Sequence, residues 1–122
     1  MKFEREAAAG RNTFTGYGPG YVEVNGRRHA RSLVVSGEQL ITDWPATSVD
    51  TLTADHLATL IALAPEIVLL GTGPRFQFPE PARLAALYQA GIGVEAMDTP
   101  AACRTYNILL GEGRQVVAAL LL

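Results

Sequence analysis

The sequence contains a single cysteine, Cys103, and two histidines, His29 and His56. One cysteine can form neither an intramolecular disulfide nor a cysteine cage for a metal ion. The two histidines have no metal-ligand spacing to each other or to paired acids. We therefore expect no metal site and no disulfide framework, and a reducing compartment fits this composition best.

Lysine is almost absent as well, because Lys2 is the only one. No lysine follows the glycine-rich stretch at residues 71–73, which excludes a phosphate-binding P-loop, and Phe76 stands where a dinucleotide fingerprint needs its third glycine. A formal net charge of −2 gives no electrostatic footprint for nucleic acid. We therefore expect no cofactor and no nucleic-acid partner.

Long apolar runs are missing too, and none approaches the ~20 residues that span a bilayer. The first ten residues, MKFEREAAAG, have no apolar core and carry acids, so they show no export or transit signal. These features favour a cytoplasmic protein. The length of 122 residues predicts one α/β domain, which we place at residues 13–122 after a flexible segment at residues 1–12.

The order of predicted elements gives the architecture. Asn25-Gly26 between extended segments predicts a β-hairpin whose second strand runs from Arg27 to about Ser36. After residue 52, helices and strands alternate, which predicts a partly parallel sheet covered by helices, with the hairpin as an extra layer or a sheet edge. The predicted helices begin at Thr53, at Pro81 and at Thr99, and the predicted strands of this part cover residues 67–70, 92–97 and 116–122.

A candidate site lies where two of these strands end. If the strands ending at Leu70 and Met97 are parallel neighbours, the loops that follow them meet at one rim, where open α/β sheets bind ligands. The start of the third helix and the charge of Arg75 would suit a small anion. The alternative is that Arg75 and Asp98 simply pair with each other. The candidate ligand-binding residues are Gly71, Thr72, Gly73, Arg75, Asp98, Thr99 and Cys103.

Cys103 has two interpretations. It lies within about one turn of the predicted helix start, where the helix dipole would lower the pKa of its thiol. A nucleophile also needs a base within reach, however, and both histidines fall in other elements. A free cysteine is more commonly a small buried apolar residue, and we favour that interpretation. No catalytic residue is therefore assigned.

Two further groups are candidates for binding a partner protein. Alternation along the second hairpin strand places Arg27, His29 and Arg31 on one face, which suits an acidic surface, although such a face is often merely solvated or protects a sheet edge. Phe76 and Phe78, flanked by prolines, could anchor a partner or form an interface between copies of the chain. The alternative is that both rings are buried internally.

The block from Val94 to Leu120, with the stretch EAMDTPAACRTYN at residues 95–107, ILL at 108–110, EGR at 112–114 and VAAL at 117–120, resembles a family of small single-domain proteins of the Mth type. Its eukaryotic relatives include a mitochondrial respiratory complex I assembly factor and an adipogenesis-associated cytosolic protein. The resemblance extends back through Gly71-Thr72-Gly73 to the hairpin. It implies a three-layer β+α/β/α fold with a central mixed sheet, and it supplies no catalytic residues.

These observations favour a non-enzymatic protein-binding or assembly module, which by analogy with the resembling assembly factor assists the biogenesis of a respiratory complex. The alternative is a small metabolite-binding protein or an enzyme that acts on an anionic ligand at the rim formed by residues 71–75 and 98–99.

Overall fold

The computed structural model describes residues 10–122, so the prediction of a flexible segment at residues 1–12 falls mostly outside the described residues. Three α-helices lie in this range: α1 (Ala54–Ala62), α2 (Ala85–Gln89) and α3 (Thr99–Gly111). Two short 3₁₀ turns, Val49–Thr51 and Pro81–Leu84, precede α1 and α2. The strands are β1 (Phe14–Gly18), β2 (Tyr21–Val24), β3 (Arg27–His29), β4 (Leu33–Ser36), β5 (Leu40–Ile41), β6 (Ile67–Gly71), β7 (Gly93–Met97) and β8 (Val116–Leu120).

The strands form two sheets. A small antiparallel sheet has the order β1-β2-β3, and a mixed five-stranded sheet has the order β5-β4-β8-β6-β7. In the larger sheet β6 pairs parallel with both β7 and β8, whereas β4 pairs antiparallel with β5 and β8. The predicted mixed, partly parallel sheet and the antiparallel hairpin layer are confirmed.

Alternating side chains of the large sheet fill two separate cores, which explains the three layers. On one face Val68 and Leu70 pack with α1, α2 and the segment that contains Trp44. On the other face Leu69 packs with α3 and with Val22 of the small sheet. The central strands are apolar at consecutive positions because both of their faces are covered.

The predicted start of α1 is confirmed in detail. The Thr53 hydroxyl accepts a hydrogen bond from the N–H of His56, and Nδ1 of His56 accepts one from the N–H of Thr53. This reciprocal capping box satisfies two N–H groups that the helix itself cannot use. Leu52 and Leu57, on either side of the cap, are both buried. His56 is thus a half-buried capping residue of α1.

The second hairpin strand is shorter than predicted. It ends at His29, and the chain then crosses to the large sheet, where it continues as β4 from Leu33. Leu33, Val34 and Val35 are fully buried, so they need two covered faces that the small sheet does not offer. Arg31 therefore lies outside the hairpin strand, and the predicted common strand face with Arg27 and His29 is wrong.

Candidate functional site

The carboxyl ends of β6 and β7 lie side by side, as predicted. The two strands are parallel neighbours, with Gly71 opposite Met97. The N–H of Thr72 donates to the carbonyl of Met97 over 2.9 Å, which extends the pairing one residue past β6. The loop after β6 and the start of α3 therefore share one rim of the sheet.

The gap between these two loops is closed by direct hydrogen bonds. The N–H of Thr99 donates to the carbonyl of Gly73 over 2.8 Å, and Oγ1 of Thr99 accepts from the N–H of Gly73 over 3.0 Å. Gly71 and Gly73 are buried together with Thr72 and Thr99. Most of the predicted ligand-binding residues are thus brought together, but they bind one another.

Glycine is required at position 71 because a side chain has no space there. A Cβ atom on Gly71 would lie 2.6 Å from Cδ2 of Leu120 and 3.0 Å from Oγ1 of Thr99. Gly71 therefore allows the close packing of β6 against Leu120 and Thr99.

The amino end of α3 is also used internally. Asp98, not Thr99, is the capping residue: its Oδ1 accepts from the N–H of Ala101 over 2.8 Å, and its carbonyl accepts from the N–H of Ala102. The N–H of Thr99 is bound to Gly73, and Pro100 has none. The premise that this helix offers free N–H groups to an anion is therefore wrong.

Arg75 stands apart from these contacts. Its side chain is exposed, and no ion pair joins it to Asp98 within residues 10–122. Its carbonyl accepts a hydrogen bond from Oγ1 of Thr72 over 2.8 Å. The alternative prediction that Arg75 and Asp98 pair with each other is wrong, because Asp98 caps α3.

Cys103 is a packing residue. Its side chain is fully buried in the core beneath α3, and this burial raises the pKa of the thiol to about 12. The loss of hydration on burial raises this pKa by more than the charge of Arg104 and a backbone hydrogen bond lower it. The thiol therefore stays protonated near neutral pH, as the apolar interpretation of the sequence predicts.

The loop after the rim presents two aromatic rings to solvent. Phe76 and Phe78 are 43% and 85% exposed, and their rings meet edge to face with centroids 4.4 Å apart. Thr72 fixes the start of this loop, because its Oγ1 donates to the carbonyl of Arg75 and accepts from the N–H of Gln77 over 3.0 Å. The sequence left open whether these rings are buried, and the structure shows that both are exposed to solvent.

The basic residues in and just after β3, at positions 27, 28, 29 and 31, differ in their environments. Arg27 and Arg31 are exposed, whereas His29 is half-buried opposite Val22, with its Nε2 atom buried and lacking a hydrogen-bond partner. Arg28, on the other face of β3, lies over the ring of Tyr21 at 4.1 Å. The structure does not gather these groups into one basic face.

A cavity of about 330 Å³ lies at the opposite rim of the large sheet, where the sequence indicated no site. Its wall includes Arg11, Glu38 and Arg114, together with the apolar side chains of Leu63 and Leu110. Nε of Arg114 donates to Glu66 over 3.1 Å. The N–H of Gln115 and this guanidinium lower the pKa of the Glu66 carboxyl. No sequence pattern indicated this cavity, because the residues that line it come from segments far apart in the chain, from Arg11 to Val117.

Neither a metal centre nor a membrane span emerges from the described part of the chain. Residues 10–122 contain no group of three or more histidine, cysteine, aspartate or glutamate side chains placed to hold a metal ion. No helix among them has the length and apolar character needed to cross a bilayer.

A mixed five-stranded sheet with two helices on one face, and one helix plus a small antiparallel sheet on the other, defines a small three-layer β+α/β/α protein. Residues 14–121 match the family described as "Protein of unknown function (DUF498/DUF598)", and the chain belongs to that family. The family membership that the sequence resemblance suggests is thereby confirmed.

Several curated relatives carry the same functional name. The bovine (Bos taurus) protein "NADH dehydrogenase [ubiquinone] 1 alpha subcomplex assembly factor 3" is 41% identical over 85 residues, which is 68% of this chain and 46% of that protein. The match thus spans about half the length of that curated relative.

Two solved structures share the fold along nearly the whole chain. A crystal structure from Bordetella parapertussis is 46% identical, with a TM-score of 0.86, and the match covers 94% of this chain and 98% of that one. A solution NMR structure from Bordetella pertussis, described as a Mth938-like domain, is 38% identical with a TM-score of 0.81 and covers 99% and 92% of the two chains.

Proposed function

We propose that this protein is a non-enzymatic protein-binding module that assists the assembly of a respiratory NADH dehydrogenase. The proposal is supported by the name of the bovine relative, which is an assembly factor for that enzyme. It is supported as well by the internal use of the polar groups at the predicted rim, which leaves little for a small ligand to bind.

The observation that carries the proposal is the exposed pair of rings formed by Phe76 and Phe78. Most large apolar side chains of residues 10–122 are buried, and in that range the ring of Phe78 is the most exposed of those that are not. Contiguous apolar surface that solvent can reach is typical of a site that binds another protein. Aromatic anchors supply a large part of the binding energy in such interfaces.

The loop is also held in place before it binds. Thr72 bonds the backbone on both sides of Phe76, and the two rings support each other edge to face. Pro74 and Pro79 restrict the backbone at either end. A loop ordered in advance loses less conformational entropy on binding, which favours affinity.

Site-specific photocrosslinking in cells tests this proposal. A benzoylphenylalanine at position 78 replaces a ring that already faces solvent, so the fold should be unaffected. We expect it to crosslink to a subunit of NADH dehydrogenase or to one of its assembly intermediates. The matched control is the same probe at Ile108, which is 61% exposed on α3. Equal crosslinking from both positions, or none to that enzyme, would contradict the proposal.

An anion-binding function at the rim formed by residues 71–75 and 98–99 has weaker support. The N–H groups of Thr99, Ala101 and Ala102 are already bound within the chain. Arg75 is the cation of this rim that faces solvent. A metabolite would therefore have one exposed charge to bind, which suits a partner surface better than an enclosed ligand site.

A further inference from the structure

β7 forms one outer edge of the large sheet, and its backbone has groups that face away from that sheet. Within residues 10–122 its sole neighbour is β6. The N–H of Gly93 donates to Glu66 over 3.0 Å, and the carbonyl of Met97 accepts from Thr72. Because strand backbones alternate, positions 93, 95 and 97 bond toward β6, and the N–H and C=O groups of Val94 and Ala96 point outward.

The other sheet edges of the described chain are short, charged or occupied. β5 has two residues, and β3 has three, namely Arg27, Arg28 and His29. On β1 the side-chain amide of Asn107 bonds both the N–H and the C=O of Phe14, in the place of a neighbouring strand. These are the usual ways to protect an edge from pairing with other chains. The five residues of β7 have one charge, that of Glu95.

The side chains of β7 indicate which strand would fit beside it. Val94 and Ala96 are half-buried against the core beneath α1 and α2, so they favour apolar neighbours on that face. Glu95 points to the opposite face, is exposed, and has no ion pair within residues 10–122. An incoming strand would therefore place an apolar residue, a cation and an apolar residue opposite positions 94 to 96.

A second copy of the same chain fits this edge poorly. Antiparallel pairing of two β7 strands that uses both outward-facing residues places Val94 opposite Ala96 of the other copy. It then places Glu95 directly opposite Glu95. Facing side chains at such a non-hydrogen-bonded position approach closely, and like charges there are destabilising. Glu95 thus opposes self-pairing and favours a basic strand.

We propose that β7 binds an extended segment of a partner protein as an added antiparallel strand, with a lysine or arginine of that segment opposite Glu95. This mode of binding rests on the proposed protein-binding function and deepens it, because it states the backbone conformation and the charge of the bound segment.

Capped five-residue peptides test the proposal on the whole chain. The peptide TVKVT has a lysine where the pairing places the residue opposite Glu95, and TVEVT is its charge-reversed control. In NMR titrations of the protein, TVKVT should shift the amide signals of Val94 and Ala96 and slow their hydrogen exchange. It should bind about fivefold more tightly than TVEVT. In the variant Glu95→Lys, the preference should reverse.

Methylated peptides distinguish an added strand from simple charge attraction. Methylation of the nitrogen of either valine of TVKVT removes an N–H that bonds β7 and should abolish binding. Methylation at the lysine removes an N–H that faces solvent and should have little effect. Equal binding of all these peptides, no reversal in Glu95→Lys, or unchanged exchange at Val94 and Ala96 would overturn the proposal.

Self-association of the chain through β7 would also overturn the proposal that this strand binds a segment of a partner protein. If the unchanged chain, with Glu95 in place, dimerises through β7 in sedimentation experiments, the occupant of this edge is a second copy. These measurements use neither Phe76 nor Phe78 and involve no respiratory enzyme. Failure of the peptides to bind would therefore leave the crosslinking test of the proposed function intact, and failure of that crosslinking would leave the peptide result intact.

Discussion

Asn107 of α3 bonds the backbone of Phe14 in β1 with both ends of its side-chain amide. Oδ1 accepts from the N–H of Phe14 over 3.0 Å, and Nδ2 donates to its carbonyl over 2.7 Å. The register of β1 against β2 shifts between Phe14 and Gly16, so the strand bulges just after the bonded residue. One side chain thus attaches the small sheet to the helix that packs on the large one.

Asn107→Ala should lower the free energy of unfolding by about 2–3 kcal/mol, because it leaves two backbone groups of a buried residue without partners. Asn107→Asp keeps an acceptor for the N–H of Phe14 but loses the donor. It should therefore lower the free energy of unfolding by a measurable amount that differs from the loss in Asn107→Ala. Urea denaturation of the three proteins gives the values. A loss below about 0.5 kcal/mol for Asn107→Ala would show that water replaces the amide.

Gly71→Ala should destabilise the protein by about 1–3 kcal/mol, since the new methyl group collides with Leu120 and with Thr99. Gly111→Ala is the matched control. It lies at the end of α3, where an added Cβ meets no atom within 4 Å, and alanine is the better helix former. Thermal unfolding of both variants should show a loss for Gly71→Ala and no loss for Gly111→Ala. Equal stability would mean that the rim has room for a side chain.

Cys103 should make the protein less stable in alkali. Its thiol, with an ordinary pKa of 9.0, ionises in the unfolded chain well before it does in the folded one, where the pKa is about 12. Stability is therefore unaffected below about pH 8 and falls between those two values, by at most about 1.4 kcal/mol per pH unit. Cys103→Ala should remove this part of the decline.

Burial of the same thiol predicts slow alkylation. At pH 8, iodoacetamide should modify Cys103 only after urea unfolds the chain. Rapid labelling of the native protein, or an alkaline stability profile unchanged by Cys103→Ala, would contradict the packed position of this side chain.

The sequence predicts well what local chemistry determines. The start of α1 at Thr53 was predicted, because threonine before an apolar stripe indicates a helix start. The reciprocal hydrogen bond from Thr53 to His56 was not predicted. The apolar residues from Ile67 predicted a strand, and β6 lies there. Gly91, just after α2, has a φ of +77°, a conformation that favours glycine.

The sequence predicts less well what depends on contacts between distant segments. The strand predicted from Arg27 to Ser36 breaks after His29, because the buried run from Leu33 has its partners in β8. Thr99 and Asp98 are both suitable helix caps by composition, and the bond from Gly73, 26 residues earlier, decides between them. The same bond closes the predicted ligand site. The meeting of the two loops at one rim was therefore predicted correctly, whereas the bonds that these loops make to each other were not.

The most direct test of the account uses the double variant Phe76→Ser/Phe78→Ser in cells that lack the native gene. Both rings face solvent, so the melting temperature of the purified variant should stay within about 2 °C of the wild type. We predict that native gels of cells with this variant show less assembled NADH dehydrogenase, whereas Ile108→Ser restores the wild-type amount. Full assembly with the double variant, or an equal defect with Ile108→Ser, would contradict a binding role for the two phenylalanines.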